Sequence, residues 1–245
     1  MRVKGNTTKI CLIALLGVGA VALAQRPGWN FRGGFHAGKV VTGEPYSGTG
    51  VTTRNQTLSN GNTINESNCV KVYRDSSGRT RREETRNSAT CSSTPQSIFI
   101  SDPVAGVEYA INQQTSTYRQ FTIKTPPAGA TRPATTRPAN PNQVETACAS
   151  QTISGTSLTA ECTQTVTTIP AGKFGNAQPI TITSTRLYSA DLQIVTQSSR
   201  TDPRNGVTTY QLSNVSTAEP AESLFQLPSG LTLQQGPSAR GRRAQ

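Results

Sequence analysis

The chain has 245 residues, a formal net charge of +11 and an aromatic content of 5%. Excess arginine favours anionic partners, but the basic residues are scattered without interleaved aromatic residues, which argues against a specific nucleic-acid partner. The only histidine is His36, and neither a G-x-S-x-G nor an H-E-x-x-H pattern occurs. We therefore predict a protein that is not an enzyme and that has no catalytic residue, metal site or cofactor.

The first 24 residues have the composition of a secretory signal peptide. Three basic residues precede an apolar run at 10–24, which ends in Ala22-Leu23-Ala24. The small residues at its end predict cleavage between Ala24 and Gln25. A retained membrane anchor is the alternative, but the run is shorter than the about 20 residues that a span needs. We expect an exported protein, periplasmic or extracellular, without a transmembrane span in its mature chain.

Strand and turn patterns begin after a flexible Gly-rich segment at 25–46. Residues 47–124 are predicted to form the N-terminal half of a β-sheet. Asn60-Gly61 is a strong hairpin signal, and Asp75 to Gly78 and Asp102-Pro103 are further turn signals. Extended segments are expected at 48–59, 63–74, 79–85, 97–100, 107–111 and 117–123.

The stretch 125–146 is rich in Pro, Ala and Thr and is predicted to be a linker or a long surface loop. We expect the strands on either side of it to pair with each other. Residues 147–232 are predicted to form the C-terminal half of the sheet, and 233–245 a disordered basic tail. Strands in this half are expected at 148–153, 158–169, 179–188, 192–200 and 207–215.

These patterns predict a mainly β fold, an antiparallel meander that forms one twisted or curved sheet. A half-barrel is one form that such a sheet can take. Helical signal is confined to a short stretch at 221–225, so few short helices are expected. Segments 101–111 and 201–212 share Asp-Pro, Gly-Val and a tyrosine. Either an internal duplication or independent use of the same turn chemistry explains this similarity.

Four cysteines remain after cleavage, and an even number in an exported chain is typical of disulfides. Cys148 and Cys162 are symmetric about Gly155, so a hairpin turning there would set them opposite each other. Cys69 and Cys91 flank an earlier turn less symmetrically. We predict the disulfides Cys148–Cys162 and Cys69–Cys91. Zinc binding is the alternative, although the close cysteine pairs of structural zinc sites do not occur here.

Pairs of apolar residues two positions apart in the strands predict an apolar side of the sheet, because alternate residues of a strand point to the same face. That side is either core or a binding site for an apolar ligand. The predicted residues are Phe121, Ile123, Ile180, Ile182, Leu192, Ile194, Tyr210 and Leu212.

The chain resembles a group of uncharacterised exported bacterial proteins in three segments. These are residues 43–84, from GEPYSGTG to YRDSSGRTRREE, residues 97–111 and residues 187–230. More distantly, the chain resembles the outer-membrane lipoprotein carriers of the LolA-like fold and related periplasmic regulator domains. That resemblance rests on a G-x-x-R-x-E-like segment, an I-x-D…Y hairpin and the S-L-F-x-x-P motif at 223–228. It implies a curved half-barrel sheet that holds acyl chains.

Two functions are compatible with these observations. The first is a non-catalytic envelope or surface protein whose sheet acts as an interaction scaffold, with another envelope component as its partner. The second is a periplasmic carrier or sensor that binds a lipid or another apolar ligand on a concave sheet.

Overall fold

The computed structural model describes residues 40–123 and 140–234. The predicted signal peptide, its cleavage site at Ala24 and Gln25, and His36 lie outside these residues. So do residues 125–139 of the predicted linker and most of the predicted basic tail.

The N-terminal half of the described chain contains six strands, and their bounds follow the turn signals closely. Glycine at positive φ closes the first two turns, at Gly61 and Gly78, as expected for a residue without a Cβ. The strands are β1 (Tyr46–Thr57), β2 (Thr63–Arg74), β3 (Thr80–Arg86), β4 (Ser97–Asp102), β5 (Val107–Asn112) and β6 (Thr117–Thr122).

The C-terminal half contains five long strands, one short 3-10 helix at Glu222–Phe225 and a final strand of two residues. β7 begins at Gln143, inside the segment predicted as a linker, because residues 143–146 pair with β8. The strands are β7 (Gln143–Thr152), β8 (Thr159–Ile169), β9 (Ile180–Ser189), β10 (Ile194–Asp202), β11 (Gly206–Ser216) and β12 (Thr232–Leu233).

All twelve strands belong to one sheet, in the order β12-β6-β5-β4-β3-β2-β1-β11-β10-β9-β8-β7. Each half is an antiparallel meander, and the halves join where β1 pairs with β11. The expected pairing of the strands on either side of the stretch 125–146 is wrong: β6 and β7 lie towards opposite edges of the sheet. Alternating polarity predicted the strands, but it does not reveal that the first strand pairs with the eleventh.

The predicted fold class is confirmed: the described chain is mainly β, with one open, curved and mostly antiparallel sheet. The exception is β12, which pairs with β6 in parallel. The sequence contains no strand pattern for β12, since a strand of two residues is too short to show alternation.

A hydrophobic cluster lies on one side of β4 and β5. Ile98, Ile100 and Ile111 are almost fully buried there, and Leu227 and Leu231 of the C-terminal segment pack against them. The chain after β11 therefore covers the apolar residues of this part of the sheet. One face of an antiparallel sheet commonly needs such cover.

Arginines attach the C-terminal segment to β3 and to the turn that precedes it. Arg81 donates a hydrogen bond from Nη1 to the carbonyl oxygen of Leu224, at 2.9 Å. The guanidinium of Arg79 pairs with the buried Asp75 carboxylate and lies 5.3 Å from the centre of the Phe225 ring. Arg79 also forms an ion pair with Glu222. These contacts hold the 3-10 helix in place over the sheet.

The two similar Asp-Pro segments both form hairpin turns. Asp102 accepts hydrogen bonds at Oδ1 from the backbone N–H groups of Val104 and Ala105, at 2.9 and 2.8 Å. Asp202 accepts at Oδ1 from the backbone N–H of Arg204, at 3.1 Å. Aspartate at the start of a turn commonly makes this contact. The two segments therefore share the same turn chemistry, in which the aspartate carboxylate accepts hydrogen bonds from the backbone of its own turn.

Both predicted cysteine pairs are at bonding distance. Cys148 and Cys162 lie directly opposite each other on β7 and β8, with Cα atoms 4.9 Å apart. Cys69 of β2 is bonded to Cys91, with Cα atoms 5.4 Å apart. Cys91 lies in the loop after β3, so this bond attaches the loop to β2 and does not bridge two paired strands.

Candidate binding surfaces

The register of the ladders assigns side chains to the two faces of the sheet, because residues directly opposite each other in antiparallel strands point to the same side. We call one side the tyrosine face, defined by Gly50, Val70, Tyr210 and Leu212. We call the other side the threonine face, defined by a row of side chains that crosses six strands. The row consists of Thr53, Thr209, Ser199, Thr185, Gln164 and Thr146.

The centre of the tyrosine face is closely packed over β1. A Cβ atom placed on Gly50 would lie 2.7 Å from Cε2 and Oη of Tyr210 and 2.9 Å from Cγ2 of Val70. One placed on Gly48 would lie 3.0 Å from Cδ1 of Leu212. The two glycines thus leave room for side chains of the flanking strands β2 and β11, which close over β1. Only residues without a Cβ permit this approach.

Arg74, at the end of β2, is buried on the tyrosine face with 5% of its surface exposed. Its guanidinium donates to the carbonyl oxygens of Glu44, at 2.9 Å, and Leu192, at 2.6 Å, and lies 4.7 Å from the centre of the Tyr46 ring. Burial lowers the pKa of Arg74 and raises the pKa of Tyr46. The contacts of Arg74 connect β2 to the β9–β10 turn, and they identify it as a structural residue.

The register distributes the eight residues of the predicted apolar side unevenly. Ile123 lies just beyond β6, and Leu192 lies in the turn between β9 and β10. Ile194 lies on the threonine side, because a register shift between Val195 and Gln197 reverses the facing of residues before it. The residues that the register places on the tyrosine face are Phe121, Ile180, Ile182, Tyr210 and Leu212.

Burial divides these residues further. Ile182, Leu192, Tyr210 and Leu212 are buried, with Tyr210 5% exposed. Burial also raises the pKa of the Tyr210 phenol well above its usual range. Phe121 has 48% of its surface exposed. The apolar centre of the tyrosine face is therefore packed core, and Phe121 lies apart from it on β6.

The threonine face has a different character. Its defining residues are hydroxyl or amide side chains that are half-buried, except for Thr146, which is exposed. The Thr53 and Thr209 hydroxyls form a hydrogen bond across β1 and β11, at 2.7 Å. Such cross-strand pairs stabilise a sheet by small amounts each. This row is a polar surface that is partly accessible to solvent, and Cys162 and Leu187 are buried beside it on the same side of the sheet.

Charge is partitioned between the faces. In β1 and β7–β11, the register places every charged residue on the tyrosine face, so that the threonine face of these strands has no ionisable Asp, Glu, Lys or Arg. The charged residues are Arg54, Glu145, Glu161, Arg186, Arg200 and Asp202. Sequence reasoning did not predict this partition, because it becomes visible only when the pairing of β1 with β11 and the register of β7–β11 are known.

Groups that could support metal chemistry are not clustered in the described chain. Within residues 40–123 and 140–234, no three His, Cys, Asp or Glu side chains come together in a way that could hold a metal ion. The same residues contain no helix long and apolar enough to cross a membrane.

The chain matches no protein-family profile and no curated protein. Solved structures with a similar arrangement include a chain of the MucA/MucB complex of Pseudomonas aeruginosa, with a TM-score of 0.42 and 11% identity over 79% of this chain. The match covers 59% of that chain, so this protein spans about three fifths of its length.

Proteins of the DUF1329 family and the LolA superfamily are also among the similar structures. The DUF1329 protein from Desulfovibrio piger has a TM-score of 0.31 and 11% identity, with 76% of this chain and 91% of that chain covered. The LolA-superfamily protein from Nitrosomonas europaea has a TM-score of 0.31 and 8% identity, with 75% and 90% covered.

Proposed function

We propose that this protein is an exported, non-catalytic component of the cell envelope that acts as a β-sheet interaction scaffold. Its binding surface is the threonine face of β1 and β7–β11. The observation that carries this proposal is the exclusion of charge from that face, although the chain as a whole has 24 basic and 13 acidic residues.

The energetic reason lies in desolvation. Covering an ionised side chain is costly unless a partner charge meets it, whereas hydroxyl and amide groups need only a hydrogen-bond partner. The centres of protein interfaces are accordingly depleted of charged residues. A sheet face with hydroxyl and amide groups and no ions can therefore be covered by a macromolecule at low cost.

Adjacent residues of β11 allow a direct test. Thr208 and Thr209 are both half-buried, but the register places Thr208 on the tyrosine face and Thr209 on the threonine face. A photo-crosslinking amino acid is introduced in cells at position 208 or at position 209. The two variants have the same chain, fold and compartment, so each is the control for the other. We expect a macromolecular adduct from position 209 and none from position 208.

The opposite pattern would contradict the scaffold proposal. Adducts from position 208 alone would assign binding to the tyrosine face. Equal adducts from both positions would indicate random contact with neighbours in the envelope.

The second candidate function is a carrier or sensor of a lipid or other apolar ligand on the tyrosine face. It is favoured by the exposed ring of Phe121, which lies on the same face of the sheet as Tyr46 and Tyr210. Native mass spectrometry of protein purified from the envelope tests it. A lipid that co-purifies supports the carrier, and a mass equal to that of the bare mature chain supports the scaffold.

A further inference from the structure

The two edges of the sheet differ in length and exposure. One edge is formed by β12, which has two residues, and by residues 119–122 of β6, which extend beyond the pairing with β12. The other is β7, which has ten residues, all exposed on both faces of the sheet, including Val144 with 60% of its surface accessible. In the described chain β7 pairs with β8 alone, so the backbone groups along its outer side point away from the sheet.

Long open edges are normally protected, because unpaired backbone groups attract further strands. Short length, lysines, prolines and bulges are the usual means of protection. β12 is protected by its short length. β7 contains neither lysine nor proline, and its one charged residue is Glu145. Its register irregularity lies after Cys148, so that residues 143–148 present a regular edge.

We propose that β7 is a dimerisation edge, at which a second copy of this chain adds its own β7 in antiparallel orientation. The two sheets would then be continuous across a two-fold axis. This inference goes beyond the scaffold function, because it concerns the assembly of the sheet and not the partner of the threonine face.

A second copy fits this edge because two β7 strands that pair with each other form a closed two-fold symmetric dimer. Isologous pairing of β7 with itself satisfies both open edges at once and leaves the short β12 edges at the ends. Pairing of β7 with a strand of an unrelated protein would not produce a two-fold symmetric assembly. The disulfide between Cys148 and Cys162 holds β7 against β8, so the edge is ordered before a partner arrives.

Symmetry restricts the register, because one residue must face its own copy across the axis. A pairing centred on Glu145 would set two carboxylates directly opposite each other, which is unfavourable. A pairing centred on Thr146 sets the two threonines opposite each other and places Glu145 against Ala147 of the second copy. It also continues the threonine-face row through both molecules, and we assign the axis to Thr146.

Multi-angle light scattering on the oxidised mature chain, over a hundred-fold range of concentration, tests the proposal. We expect the mass to rise from one chain to two, with a Kd on the order of micromolar, because a single strand pair covers less area than a standard interface. Hydrogen exchange in the peptide that contains residues 143–148 should slow over the same range of concentration.

Charge substitutions at the axis distinguish this edge from other contacts. Thr146→Lys and Thr146→Glu should each remain monomeric, since each would face a like charge, and a mixture of the two should form the mixed dimer. Thr181→Lys, at an exposed position on β9, adds the same charge away from the edge and should dimerise normally. Matching circular dichroism spectra will show that all three variants fold.

Three outcomes would overturn the proposal. The chain could remain monomeric at every concentration, with no protection of residues 143–148. The lysine variant could dimerise as well as the parent, which would place the contact elsewhere. The two charge variants could fail to combine, which would refute the axis at Thr146.

Discussion

Replacement of Asp202 by asparagine should destabilise the protein at neutral pH and have little effect near pH 2. The Arg204 guanidinium donates to the Asp202 carboxylate from Nε at 3.0 Å and from Nη2 at 2.9 Å. These hydrogen bonds lower the pKa of Asp202 from 3.8 to about 2. Because one pKa unit corresponds to about 1.36 kcal/mol, the charged carboxylate contributes about 2 kcal/mol to the free energy of unfolding.

The sign follows from the folded-state pKa being lower than the unfolded one. The contribution is fully present above the unfolded pKa near 4, and it is lost as the pH falls through the folded pKa near 2. Urea unfolding of the oxidised mature chain and of Asp202→Asn, between about pH 7 and pH 2, measures this difference. The two curves of free energy against pH should converge at the acidic end.

Asp102→Asn is the matched control. Asp102 occupies the corresponding turn, and its Oδ1 accepts two backbone N–H groups, which an asparagine amide oxygen can also accept. We expect Asp102→Asn to lower the free energy of unfolding by no more than about 0.5 kcal/mol, as for surface positions. If Asp202→Asn costs no more than this control, or if its cost does not change below about pH 4, the assignment of the stabilisation to the Arg204 contact is refuted.

Three further predictions concern the sheet and the chain ends. Gly50→Ala should lower the free energy of unfolding by about 1–3 kcal/mol through overpacking against Tyr210, and adding Val70→Ala should recover part of the loss in urea titrations. Arg74→Met should cost about 1.5–3 kcal/mol in the same assay, because it leaves the carbonyl oxygen of Leu192 without its donor; a loss below about 0.5 kcal/mol would contradict this role. Sequencing of the mature N-terminus should begin at Gln25, and a start at Met1 would refute export with cleavage.

Strand positions could be predicted from the sequence because local chemistry determines them. The turn from Asp75 to Gly78 places glycine where φ is positive, and Asn60-Gly61 does so in the first hairpin. Each strand end therefore follows from a few neighbouring residues. The symmetry of Cys148 and Cys162 about Gly155 is equally local, and the structure sets these cysteines directly opposite each other.

Long-range pairing could not be predicted in the same way. The pairing of β1 with β11 joins residues such as Thr53 and Thr209, which no local pattern connects. The position of Ile194 shows a second limit, since a single bulge reverses the facing of the residues before it. The roles of Gly48 and Gly50 also depend on side chains that arrive from the other half of the chain.

The partition of charge gives the two candidate functions opposite faces of one sheet. On the tyrosine face, close packing of Tyr210, Val70 and Leu212 over β1 means that an apolar ligand at the centre would have to displace core side chains, at a cost of several kcal/mol. On the threonine face of β1 and β7–β11, a partner would displace water from hydroxyl and amide groups and from half-buried apolar residues such as Val51 and Val207, and it would meet no ionised side chain. The smaller cost of covering the threonine face is the physical reason for placing the scaffold function there.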